Sequence, residues 1–174
     1  QSLFLRFYNL INLPNMPVFF AIFLIITLVS QVPATIWVIH GQDRYGWNML
    51  IAGISLAAYG VCHSISQAFA IDPLVKKLGE KKTLVIGLIC DGIGLILLSV
   101  SAKGWMPFAL LPLFALGGIA VPSLQSMMSR CISDERQGEL QGFLSSLNSF
   151  GAIIGPILVT ALYSMTQAST PGII

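Results

Sequence analysis

The sequence predicts an all-α membrane protein, and three observations carry that prediction. Hydrophobic residues fill 55% of the 174 positions and charged residues only 9%, against about 25% charged in a soluble domain. Mean hydropathy is +0.83. The Lys, Arg, Asp and Glu residues lie in short clusters, separated by apolar runs of about 20 residues, the length a helix needs to cross the hydrocarbon of a bilayer. Lipid leaves a free backbone without partners, and the runs are too continuous for the alternating pattern of barrel strands, so they are helices.

Residues 1–17 read as the end of a cytoplasmic loop, and five spans follow. The first, Val18 to Ile39, is as long as a bilayer crossing, contains Gln31 and has no small-residue cleavage pattern after it, so it is a span and not a signal peptide. Thr27, Ser30, Gln31 and Thr35 make a polar stripe on it. On the second span, Ile51 to Ile71, Ser55, Tyr59, His63, Ser66 and Gln67 recur every three to four residues and share a face. The third, Leu84 to Ser101, holds Asp91 between Gly87 and Gly94. Pro112 and Pro122 interrupt the fourth, Met106 to Met127, as Pro33 does the first. The fifth, Phe143 to Tyr163, carries Ser145, Ser149 and Thr160 and the run Gly151-x-x-x-Gly155-Pro156, which combines close packing with a freed carbonyl. Together these prolines and glycines suit helices that bend between states. Residues 18–165 form the transmembrane bundle, and 166–174 read as a far-side tail. The start at Gln1 without Met, and the polar end after an odd number of spans, lead us to expect a fragment.

Alternate loops place Arg6, Lys76, Lys77, Lys81, Lys82, Arg130 and Arg136 on one side and Arg44 and Lys103 on the other. Seven cations against two put the first set, and the N-terminus, in the cytoplasm. Trp47, Trp105, Tyr45 and Tyr163 then fall near the far-side interface, where aromatic anchors belong.

Composition also excludes. A net charge of +2 without a basic face argues against nucleic acid. Cys62, Cys90 and Cys131 stand singly and read as small buried side chains, not as a disulfide framework or zinc site. Neighbours such as Cys62 and His63 diverge by about 100° on a helix, so no metal site formed by the protein alone is expected. HExxH, GxSxG and paired carboxylates are absent, which argues against an intramembrane enzyme.

Asp91 is the single acid inside a span. A mid-bilayer carboxylate costs roughly 2.5 to 3.5 kcal/mol on insertion scales, so it needs a partner or a task. It either exchanges protons or binds substrate, its glycine neighbours admitting water, a ligand or another helix, or it is permanently paired. His63 can handle protons near neutral pH or serve as a neutral bridge between helices. His40, at the interface, has no expected role. The polar stripes either line a cavity or join helices by hydrogen bonds worth about 1 kcal/mol each.

The loop Leu78-Gly79-Glu80-Lys81-Lys82 resembles the second-half copy of the short major facilitator superfamily signature, G-x-x-x-D-x-x-G-R-[RK]-x. Gly79, Lys81 and Lys82 are kept; Asp72 stands at the first Gly position and Lys76 at the Asp position. Gln31-Val-Pro-Ala-Thr-Ile-Trp-Val38, Arg44-Tyr-Gly-Trp47, Gly53-Ile-Ser-Leu-Ala-Ala-Tyr-Gly60, Pro122-Ser-Leu-Gln125, Glu135-Arg-Gln-Gly-Glu-Leu-Gln-Gly142 and Gly155-Pro156 are, in that order, similar to the C-terminal half of the tetracycline efflux antiporters. The resemblance covers roughly Val18 to Tyr163. It implies a major facilitator C-terminal bundle with five of its six helices present.

It also implies a function: an exporter of the bacterial inner membrane that exchanges a tetracycline–divalent metal chelate, magnesium for example, for a proton. No cofactor is implied, and the partners would be lipid, chelate, protons and the transporter's N-terminal half. On this resemblance Asp91 and His63 couple protons. Gln31, Thr35, Tyr59, Ser66 and Gln67 border the drug pathway, Gly79, Lys81 and Lys82 form the cytoplasmic loop motif, and Gly151, Gly155 and Pro156 form the helix-bending motif. Another proton-coupled exporter, or a non-transporting membrane subunit whose polar stripes only join helices, are the alternatives.

Overall fold

In the computed structural model the described residues are 8 and 10–169, with side chains to Met165. They form α1 (Met16–Tyr45), α2 (Met49–Phe69), α3 (Ile71–Leu78), α4 (Glu80–Val100), α5 (Met106–Gly117), α6 (Ala120–Ser129) and α7 (Gln137–Ser169), with a 3-10 turn at Asp134–Arg136 and no strand among them. Among the described residues five stretches are long and apolar enough to cross a membrane: α1, α2, α4, the α5–α6 pair as Met106–Ser129, and Asp134–Met165. The protein is a multi-pass helical membrane protein. The helices outrun the apolar runs at several ends, because a helix goes on forming backbone bonds beyond the hydrocarbon. α1 continues to Tyr45 past the expected Ile39, and α7 starts at Gln137, six residues before Phe143.

The chain divides into two compact units. In the unit spanning residues 37–124, Trp37, Trp47, Ala52, Leu111 and Phe114 form the core. Trp37 meets Phe114 edge-on with ring centroids 6.3 Å apart, and Trp47 packs on Phe108 at 5.5 Å. The Trp37 indole N–H donates to Ser55 Oγ (2.8 Å), and the Ser55 hydroxyl donates to the Ala52 carbonyl (2.7 Å), so a buried polar pair joins α1 to α2 without an orphaned group. Asn48 caps α2, accepting from the Ile51 N–H at 2.9 Å.

The structure corrects expectations for an aromatic anchor and for the cysteines. Trp47 is 6% exposed and belongs to the core, whereas Trp105, 61% exposed, keeps the position of an anchor. Tyr45 bonds Ser101 and His40 packs on it, because the Gly41–Trp47 turn folds these rings back over the helix ends. The cysteines are not buried: Cys62 and Cys90 are half-buried and Cys131, in the turn after α6, is exposed. The basic loop after α2 also holds a short helix, α3, with Pro73 and Asp72 in its first turn and Lys76 and Lys77 in its last, an order that suits the helix dipole. It stops at Gly79, whose φ of +82° is open to glycine and strained for other residues.

The other unit comprises residues up to Ile36 and those from Gln125. Gly151 and Gly155 of α7 receive Thr27 and Gln31 of α1, two pairs at the same four-residue spacing. Phe20 packs on Phe143 at 4.4 Å. At the foot of α7, Gln137 ties back to the end of α6, donating to the Ser129 carbonyl (2.9 Å) and accepting from the Ser129 hydroxyl (2.8 Å).

Candidate functional site

The site grows from the way α4 meets the fourth span. Gly87, Asp91 and Gly94 lie four and three residues apart, so they share one face. A Cβ on Gly87 would stand 2.9 Å from the Ala120 nitrogen, and one on Gly94 would stand 2.9 Å from the Phe114 ring. Between them, a Cβ on Gly117 would stand 2.9 Å from Asp91 Cβ and 3.0 Å from Asp91 Oδ1. The missing side chains around Asp91 thus admit a neighbouring helix, one of the three occupants the sequence leaves open.

His63 arrives at the next residue from the other side. A Cβ on Gly118 would overlap His63 Nε2. The two successive glycines therefore let an acid from α4 and a histidine from α2 reach a single turn of the fourth span. Tyr59, one turn earlier on α2, packs its ring on His63 with centroids 5.6 Å apart, and the Gln67 amide lies one turn later, Nε2 to Nε2 3.5 Å from His63. Asp91, His63 and Gln67 are all half-buried.

That turn is also where the fourth span breaks, between α5 and α6. Pro122, four residues after Gly118, has no N–H to give the Gly118 carbonyl, and the Gln67 Nε2 donates to that carbonyl at 3.1 Å. Pro33, Pro112 and Pro156 lie within α1, α5 and α7, which run on through them.

Other sequence-predicted positions fall elsewhere. Ser66 is 9% exposed. Thr35 and Gln31 are half-buried on α1, with Gln31 against Gly155. Gly79 joins α3 to α4, and Lys81 and Lys82 occupy the first turn of α4. Of the polar stripes, Thr27 donates to the Phe23 carbonyl (2.8 Å) and Thr160 to the Pro156 carbonyl (2.7 Å), so these hydroxyls are satisfied within their own helices. Among the described residues no three His, Cys, Asp or Glu side chains converge as a metal site. Sequence reasoning missed Gly117 and Gly118; the signal was a glycine pair four to five residues ahead of a proline inside an apolar run.

Residues 15–174 match the family model of the Major Facilitator Superfamily. The chain belongs to that superfamily. It is 49% identical over 153 residues to the class G tetracycline resistance protein of Vibrio anguillarum, covering 88% of this chain and 39% of the relative. The class C and class B tetracycline resistance proteins of Escherichia coli are 43% and 40% identical over 152 and 150 residues, covering 87% and 86% of this chain and 38% and 37% of theirs. The chain thus spans about two-fifths of the length of these relatives. Membership of that superfamily supports a transporter rather than an enzyme.

Proposed function

We propose that this superfamily chain supplies the C-terminal part of an exporter that moves tetracycline, as a divalent-metal chelate, out of the bacterial cytoplasm in exchange for protons. The observation that carries the proposal is the Gly117–Gly118 turn, where the acid inside α4 and the histidine of α2 come to adjacent backbone positions. Its likeness to tetracycline resistance proteins supports the drug.

The chemistry is that of competition. A cationic chelate and a proton both neutralise a carboxylate held away from water, so occupancy of Asp91 by one disfavours the other. Neutralising Asp91 changes the relative stability of inward- and outward-facing states, which is enough for alternating access without any covalent step. A proton moving down 100 mV releases about 2.3 kcal/mol to drive the cycle. His63, beside the same turn, is the partner able to take or return that proton. Gln31, Thr35, Tyr59, Ser66 and Gln67 would border the drug path, with the opposite wall contributed by an N-terminal half. The excess of cations in alternate loops supports a cytoplasmic N-terminal side in the inner membrane.

The test is magnesium-dependent tetracycline uptake into inverted vesicles under an imposed proton gradient, using the complete transporter chain that carries this sequence. Uptake is expected with Asp91 and is expected to be lost in Asp91→Asn at equal expression. Equal uptake by both forms would overturn the role of Asp91; uptake by neither would overturn the drug.

A further inference from the structure

The Gly118 carbonyl lacks its ordinary helical partner because Pro122 carries no N–H. An unmet carbonyl in hydrocarbon is costly. The group that meets it comes from another helix: Gln67 of α2, whose Nε2 lies 3.1 Å from the Gly118 oxygen. A side-chain amide has two hydrogens to donate, and the same nitrogen lies 3.5 Å from His63 Nε2. One amide therefore ties together the broken span and the histidine packed against it.

We propose that Gln67 is a positioning residue: its amide replaces the N–H that Pro122 withholds, and so fixes the Gly117–Gly118 turn at the angle where His63 and Asp91 meet it. The latch is a single side-chain bond between two spans, so it can open without unwinding either helix. This goes beyond the place of Gln67 along the drug path, where its amide would only face the cargo. The transport arm of the test rests on the function proposed above; the structural arm does not.

The roles separate because the missing donor can be restored. Pro122→Ala returns an N–H to position 122, in register to bond the Gly118 carbonyl, and makes the Gln67 latch redundant. In the complete chain we expect Gln67→Leu to lower the maximal rate of tetracycline uptake about tenfold with KM altered less than about twofold. In a Pro122→Ala background the same change should cost only about twofold. Equal losses in both backgrounds, or a loss confined to KM, would overturn the proposal in favour of direct cargo contact.

Amide hydrogen exchange of the peptide covering residues 115–124, in purified protein without drug, gives an independent reading. Gln67→Leu should speed exchange there about fivefold, and Pro122→Ala should reverse the gain. Unchanged exchange overturns the latch even if transport falls. If no form moves tetracycline, exchange alone decides the latch, and the failure belongs to the proposed function.

Discussion

Gly118 and Gly92 show how differently one residue type is used in two neighbouring spans. A methyl group at Gly118 would occupy the space of His63 Nε2, whereas nothing lies within 4 Å of a Cβ at Gly92. Gly118→Ala must push the histidine away from the turn or the turn away from α2, an overpacking that costs about 1–3 kcal/mol. Gly92→Ala gains helix propensity, about 0.5–1 kcal/mol. In thermal melts of the detergent-purified complete chain we expect Gly118→Ala to lower the midpoint and Gly92→Ala to hold or raise it. If Gly118→Ala melts like the parent, the close approach of His63 to the turn is wrong. His63 and Asp91 were legible in the sequence because an ionisable group in hydrocarbon announces itself. The glycines were not, since a missing side chain has meaning only against the neighbour that fills its place, and that neighbour is set by tertiary packing.

At the scale of elements, the apolar runs gave all five spans, because about 20 apolar residues in sequence have few other uses. Their ends were harder to place: hydropathy marks where hydrocarbon stops, while hydrogen bonding carries α1 to Tyr45 and begins α7 at Gln137. Trp47 was misplaced for a related reason, since an indole near a span end serves equally as anchor or core until the turn at Gly41 decides it. The packing of α7 on α1 was half legible. Gly151-x-x-x-Gly155 announced a close approach, but not that Thr27 and Gln31 make it. Gly151→Val places a branched side chain where the Thr27 methyl already sits. The expected result is a lower melting midpoint, with about 1–3 kcal/mol lost, and partial recovery when Thr27→Ala is added. A double mutant no more stable than Gly151→Val alone would remove Thr27 as the packing partner.

For the whole molecule, the proposed orientation rests on charge alone, and the structure supplies a probe for it. Arg130 and Arg136 flank the turn after α6, one of the cation-rich loops assigned to the cytoplasm. Cys131 lies in that turn and is exposed, while Cys62 and Cys90 are half-buried within α2 and α4. With Cys62 and Cys90 replaced by Ser, and any further cysteines of the complete chain likewise, a membrane-impermeant maleimide should label Cys131 in inverted vesicles and leave it unlabelled in intact spheroplasts. The converse pattern would invert every loop together, because helices of a continuous chain cannot change sides singly. It would also place Lys76, Lys77, Lys81 and Lys82 outside, against the bias that fixes topology during insertion. Equal labelling from both sides would instead mean that the α6–α7 turn reaches a path open to water across the membrane.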